Sequence, residues 1–197
     1  MISFIVPAFN EEKRIEKILR SLSEYGDNHE IIISDDNSTD TTVEIARRYT
    51  DKIIINQGEK RGIAANRNRG AKIAQGEYFV FIDADIHIDN PNIFFRKAER
   101  VFQEDRRLVA ATVFLRVFRN METLADKIIL QFFNYFFLIL NFFGIGAASG
   151  EFQIMRADAF RKVNGFNENL IAGEDQDMFR RLAGIGKVRS IKTLVAH

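Results

Sequence analysis

Short apolar runs recur along this chain, each the length of a buried strand, and several stop abruptly at polar or acidic residues. The runs are ISFIV (2–6), EIIIS (30–34), KIII (52–55) and EYFVFI (77–82). Between them the apolar spacing turns helical. Ile15, Ile18, Leu19, Leu22 and Tyr25 predict a helix over 11–25 behind Asn10 as N-cap. Ser38 or Asp40 caps a second over 41–49, and a third, rich in small residues, covers 62–74. Asn90-Pro91 opens a fourth, an N-cap followed by proline at the first helical position, with Phe94, Phe95, Ala98, Val101 and Phe102 as its apolar face. LVAATVFLRV (108–117) extends the sheet, and a strand at 151–155 and helices near 157–163 and 174–183 follow. The unbroken apolar content of 77–82 predicts burial on both faces. Such alternation calls for an α/β fold: a single-domain, Rossmann-like, open and mostly parallel sheet flanked by helices.

In an open parallel sheet, ligands bind beyond the carboxyl ends of the strands. Here those ends carry Pro7-Ala8-Phe9-Asn10, Asp35-Asp36-Asn37 and Asp83-Ala84-Asp85, so three separate stretches deliver polar groups to one rim. Closely spaced carboxylates repel unless something neutralises them. Asp83 and Asp85 sit two apart, and in extended chain their side chains share a side. Two oxygen donors suit Mg²⁺ or Mn²⁺, ions that keep waters and substrate phosphates in their shell. A D-x-D on its own is also a common solvated turn.

Three further clusters bear on chemistry. In ISDDNSTDTT (33–42), Asp35 and Asp36 follow three isoleucines, and a carboxylate there can accept from a nucleobase or ribose hydroxyl. In AGEDQDMFRRL (172–182), Glu174, Asp175 and Asp177 begin a helix. The helix dipole alone accounts for acids at that place, and a general base is the functional alternative. GEKRGIAANRNRG (58–70) offers Lys60, Arg61 or Arg67 to phosphates, but it is neither a dinucleotide fingerprint nor a P-loop.

Composition removes other classes. A net charge of +1 gives no bulk attraction to nucleic acid or acidic membranes, and the absence of cysteine excludes disulfides and thiolate chemistry. The length of 197 residues suits one domain. Met1 leads straight into the first apolar run and then Glu11 and Glu12, so no signal peptide is visible, and Asn37-Ser38-Thr39 lacks the secretory context of a glycosylation site. The expected location is cytoplasmic, or peripheral on the cytoplasmic membrane face.

One segment is anomalous: IILQFFNYFFLILNFFGIGAA (128–148) holds six of the chain's 19 phenylalanines. Its length would span a bilayer. Yet Lys127, Gln131, Asn134 and Asn141 fall on one helical face, which suits a helix packed on the protein or lying in a membrane interface.

Taken in order, FIVPAFNEEKRIEKIL, ISDDNSTDTT, RGIAANRNRGAKIAQGEYFVFIDADI and FRKVNGFNENLIAGEDQDMFRRL resemble the inverting family 2 glycosyltransferases, from residue 2 to about 182. The resemblance implies the A-type nucleotide-sugar-binding fold, with residues 1–105 as the nucleotide-sugar half and 106–197 as the acceptor half carrying an amphipathic helix over 122–143. It implies that Pro7, Ala8, Phe9 and Glu11 line the nucleotide pocket, with Phe9 standing where tyrosine is common. Asp35 and Asp36 would face base and ribose, Arg67 would lie near the nucleotide, and Asp83 and Ala84 would contact ribose or diphosphate. Asp85, with Asp83, would hold Mn²⁺ or Mg²⁺, and His197 would approach it. Asp175 would be the catalytic base and Glu174 would help place the acceptor. The implied partners are a UDP- or GDP-sugar and an acceptor glycan, glycolipid or polyprenyl phosphate, with residues 122–148 meeting a membrane or a second copy and no role for nucleic acid.

Two other readings compete. An aspartate-nucleophile phosphohydrolase also places D-x-D after a buried strand, but leaves ISDDNSTD unexplained. A non-catalytic nucleotide-sugar-binding or membrane scaffold would need none of the acids that chemistry requires.

Overall fold

The computed structural model describes residues 1–117 and 122–196, with side chains described up to Lys192 and none from 193 on. The strands are β1 (Ile2–Ala8), β2 (His29–Asp35), β3 (Ile53–Ile55), β4 (Tyr78–Ile82), β5 (Leu108–Leu115), β6 (Phe152–Arg156) and β7 (Lys187–Ala196). They form one sheet in the order β3-β2-β1-β4-β6-β5-β7. Only β6 runs against its neighbours, pairing antiparallel with both β4 and β5, and β5 and β7 are parallel. The helices are α1 (Ile15–Ser23), α2 (Thr42–Ala46), α3 (Ile63–Ile73), α4 (Pro91–Glu104), α5 (Leu124–Phe142), α6 (Ala157–Lys162) and α7 (Glu174–Ala183).

The two faces of the sheet follow from the two-residue period of its strands. Phe4, Val6, Tyr78, Val80 and Ile82 point to a core closed by α1, α2 and α4, where Ile18, Leu22, Phe95 and Phe102 are buried. Ile5, Phe79 and Phe81 point to the opposite core, closed by α3, α6 and α7 through Ala64, Ala71, Phe160, Met178 and Phe179. On that second face α3 comes very close to the sheet. A Cβ added to Gly70 would lie 2.5 Å from Ile5 Cγ2, which explains a glycine inside this helix.

Several expectations need correction. The first helix begins at Ile15, and Asn10 is not its cap. Asn10 adopts φ 56, a left-handed conformation that asparagine tolerates, and its Oδ1 accepts from the Thr39 N–H at 2.9 Å. It joins the loops that follow β1 and β2. The helix expected over 41–49 shrinks to Thr42–Ala46, and its N-cap position is Thr41, neither Ser38 nor Asp40. Ser38 instead accepts from the Asn10 N–H, and Asp40 from the Thr42 N–H. β7 and the reversal of β6 had no local signal. The Asn90 cap stands, with its Oδ1 accepting from the Ile93 N–H at 3.0 Å.

α5 starts at a capping box, with Thr123 and Asp126 satisfying each other's backbone N–H groups. It packs on β5 and β7. Asn134 and Asn141 face the protein, whereas Lys127 and Gln131, expected on the same stripe, are exposed. His197 lies outside the described residues.

Gly70→Ala tests how tightly α3 is seated. Overpacking against Ile5 should cost about 1–3 kcal/mol, seen as a lower urea midpoint with an unchanged slope.

Candidate active site

β1 stays paired with β2 through Ala8↔Asp35, but with β4 only through Ile5↔Phe81. The two strands therefore part over their last residues, and Pro7, which has no N–H to offer a ladder, falls in the parted stretch. β1 leads to a neighbour on one side of the sheet and β4 lies on the other, so the gap is a topological switch point. It opens into a cavity of about 430 Å³ lined by Pro7, Ala8, Phe9, Glu11, Asp36, Asp83, Ala84 and Asp85, together with Gly62, Ile63 and Asn66.

The two aspartates ending β2 have different surroundings. Asp35 is buried and turned back on its own loop, accepting from the Ser38 N–H at 2.8 Å and from the Ser38 hydroxyl. Asp36 lines the cavity and accepts from Asn56 Nδ2 and an Arg69 guanidinium nitrogen, both at 2.7 Å. Burial works to raise its pKa, but the donors Asn56, Gly62 N–H and Arg69 outweigh it and hold the carboxyl below its ordinary range. Arg61 donates to the Asp36 carbonyl at 2.8 Å and lies over the Phe9 ring, 5.1 Å from its centroid. Phe9, 48% exposed, thus presents one flank of the cavity with a cation beside it.

Arg67 does not line this cavity. It is 1% exposed and lies below the rim. One guanidinium nitrogen donates to Glu174 Oε1 at 2.9 Å, and the other to Asp83 Oδ1 at 3.1 Å and to the Gly150 carbonyl at 2.7 Å. The side chain expected beside the nucleotide is therefore spent joining α3 to the start of α7, the end of β4 and the segment before β6. Because β6 is reversed, it begins at the rim where the other strands end. That brings Gly150 and Glu151 next to Asp83, whose N–H donates to the Glu151 carbonyl at 3.0 Å.

Asp175 stands on the far side of Gly150. A Cβ on Gly150 would lie 3.5 Å from Asp175 Oδ2 and 3.7 Å from Arg67, in ordinary contact with both, so Gly150 is the backbone between these two side chains. Burial raises the pKa of Asp175, opposed by the Gln176 N–H and assisted by the Glu174 charge. Burial also raises Asp83, where Arg67 opposes and the charges of Asp85 and Glu151 add. Asp83, Asp85, Glu151, Glu174 and Asp175 form an acidic rim whose ion-pair partner among the described residues is Arg67.

Among the described residues no three His, Cys, Asp or Glu side chains converge as a metal cage. The donors present are the exposed Asp85 and the half-buried Asp83. A pair of hard oxygen ligands on an under-neutralised rim fits a divalent ion that completes its shell with waters and substrate phosphate. A soft or fully protein-caged metal does not fit.

Residues 3–163 match glycosyl transferase family 2. The chain belongs to that family. Among its relatives, a dolichyl-phosphate beta-glucosyltransferase of Trichomonas vaginalis is 38% identical over 97 residues, covering 43% of this chain and 30% of the relative. A UDP-Glc:alpha-D-GlcNAc-diphosphoundecaprenol beta-1,3-glucosyltransferase of Escherichia coli is 38% identical over 110 residues, covering 52% of this chain and 43% of the relative. The chain thus spans less than half the length of these curated relatives. In fold, a Pyrobaculum calidifontis mannosyltransferase solved with GDP-Man and Mn²⁺ superposes with a TM-score of 0.79 at 21% identity, over 99% of this chain and 55% of that one. S. aureus TarS 1–349, solved with UDP-GlcNAc, gives 0.73 at 21% identity, over 99% and 57%. The fold is the A-type glycosyltransferase fold, and membership of this family removes the support for a phosphohydrolase.

Sequence reasoning passed over Asn56, Gly62, Ile63, Asn66 and Arg69. The last four belong to the quoted GIAANRNRG stretch, but nothing local separates the arginine that grips Asp36 from the one that grips Glu174. Asn56 had no signal at all beyond its place after β3.

Two outcomes follow. Arg67→Ala strands Glu174 and Asp83 without their cation and should cost about 3–5 kcal/mol by urea unfolding. For Asp175, a carboxyl raised on folding costs stability above its folded pKa, and the cost disappears as pH falls through that value. Asp175→Asn should therefore raise the melting temperature at neutral pH, and the difference should close in acid.

Proposed function

We propose that the chain is a metal-dependent inverting glycosyltransferase that moves a sugar from a nucleoside-diphosphate donor to an acceptor hydroxyl, with Asp175 as general base. The observation that carries this reading is the rim itself: a cavity lined by Asp36, Asp83 and Asp85 at the switch point, and a second carboxylate, Asp175, across Gly150 from it.

Each side chain then has a task. Asp36, kept ionised by Asn56 and Arg69, accepts from the base or ribose, while Phe9 and Arg61 bound the base. Asp85 and Asp83 would hold Mn²⁺ or Mg²⁺, which when bound supplies Lewis-acid neutralisation of the departing diphosphate. Asp175 takes the proton from the acceptor hydroxyl, and its raised pKa makes it a better base than an ordinary aspartate. The acceptor oxygen forms its bond to the anomeric carbon as the bond to the diphosphate oxygen breaks, and attack opposite the leaving group inverts the configuration. Glu174 is bonded to Arg67 and so acts as a positioning residue for the helix that carries Asp175.

The solved structures named above contain UDP-GlcNAc in one case and GDP-Man in the other, which supports a UDP- or GDP-sugar as donor. The relatives' names point to lipid-linked acceptors and, with the apolar α5, to peripheral membrane contact.

A thermal-shift series with UDP- and GDP-sugars, with and without Mn²⁺, tests the donor side. One donor should raise the melting temperature in a metal-dependent way, and Asp85→Ala should abolish that dependence. Asp175→Asn should keep the shift and lose about 10²–10⁴-fold in turnover. A donor shift with full turnover in Asp175→Asn would remove Asp175 as the base. Binding without turnover in the native chain, across donors and acceptors, would favour the scaffold.

A further inference from the structure

α5 is amphipathic in the opposite sense to a helix on a soluble domain. Its inward face holds two asparagines, and its outward face is apolar. Asn134 clasps the end of β5, accepting from the Leu115 N–H at 3.0 Å and donating to the Leu115 carbonyl at 2.9 Å. Asn141, two turns on, does the same to Ala147 at 2.8 Å each way and also donates to Ser190 Oγ at 2.9 Å. Both amides satisfy backbone groups that burial would otherwise leave unpaired. The helix is therefore fixed along the domain and in rotation.

What faces outward is a stripe at heptad spacing: Ile129, Phe132, Phe136, Ile139 and Phe143, exposed by 44–70%. Phe132 and Phe136 stack on each other, 6.0 Å apart and 9° from parallel, and remain 63% and 44% exposed. From Ile128 to Gly150 no side chain carries a charge. A patch of this extent marks an interaction site.

The charges at its border indicate what meets it. Leu138 and Phe142 share a cavity of about 480 Å³ with Lys187 and Arg189. Those two cations and Arg107 converge on one carboxylate, Asp105, leaving the cluster with net positive charge. Lys192 lies over the Tyr135 ring, 5.1 Å from its centroid. An apolar stripe edged by cations complements the acyl and phosphate layers of an anionic bilayer.

A second cavity, about 240 Å³, runs beneath the same helix to the candidate base. Leu130, Phe133 and Phe137 form its apolar side, and Glu151 and Asp175 its polar end. Two carboxylates at that end repel a phosphate and admit a neutral hydroxyl.

We propose that α5 rests in the headgroup–acyl boundary of an anionic membrane, and that the acceptor is a hydroxyl-bearing glycolipid entering from that membrane beneath α5 to reach Asp175. The acceptor part rests on the transferase reading above, and the membrane part does not.

The test is flotation of the full chain with vesicles of phosphatidylcholine alone or mixed equally with phosphatidylglycerol, beside light scattering without lipid. The chain should float with the mixed vesicles and less with the neutral ones. The doubly substituted Phe132→Glu, Phe136→Glu chain should stay at the bottom while keeping the native nucleotide-sugar thermal shift, which shows that fold and donor site are intact. Lys187→Ala with Arg189→Ala should weaken the preference for anionic vesicles. Native chain that fails to float, or floats no better than the double glutamate variant, overturns the membrane part. So does a dimer that the glutamates convert to monomer, because a second copy then covers the stripe. For the acceptor, octyl glucoside should exceed free glucose in kcat/KM by at least about tenfold, and farnesyl phosphate should not substitute. Equal use of glucose, or preference for farnesyl phosphate, overturns that part. Loss of the donor shift itself would instead sink the transferase reading and leave the flotation result standing.

Discussion

The contacts made by Arg67 hold the rim of this protein together. A guanidinium excluded from water is costly, and two carboxylates and a carbonyl offset that cost only where their geometry is right. Those partners come from the start of α7, the end of β4 and the segment before β6, three elements far apart in sequence. Meeting at one side chain, they set where Asp175 stands relative to Asp83. Arginine suits the position because its planar fork serves several acceptors at fixed angles, which a lysine cannot.

The electrostatics of the rim follow from that scarcity of cations. Asp36 is supplied with donors and stays below its ordinary pKa, whereas the half-buried Asp83 and Asp175 are desolvated with too little compensation and rise. The same fold therefore contains a carboxylate held ionised by its donors and two that share the charge of one arginine and rise; on the proposed reading, these are the acceptor for the base, a metal ligand and the general base. Environment alone separates the ionisation of chemically identical side chains.

α5 shows how an apparent contradiction in composition resolves in three dimensions. Asparagines in an apolar helix read as a polar face, yet here they point inward to satisfy the ends of β5 and the turn at Ala147, and the phenylalanines are left outside. Gly146 makes that return possible. It has φ 84, and an added Cβ would lie 2.3 Å from the Phe179 carbonyl oxygen. From there the chain passes Gly150 and Glu151 into β6.

The sequence by itself determined the strand-and-helix alternation, the Asn90-Pro91 helix start and the delivery of Asp36, Asp83 and Asp85 to the strand ends, because these depend on local periodicity and on where apolar runs stop. Tertiary structure alone decided the rest. It reversed β6, added β7, turned Asp35 into a loop-bonding residue, and withdrew Arg67 from the surface. It also assigned Asn56 and Arg69 to Asp36. Most of the deciding partners lie sixteen or more residues away, and for Asp35 the partner is the nearby Ser38, which selects between two adjacent and identical carboxylates. Local propensity describes how a segment folds, and such partners are fixed only when the sheet has assembled.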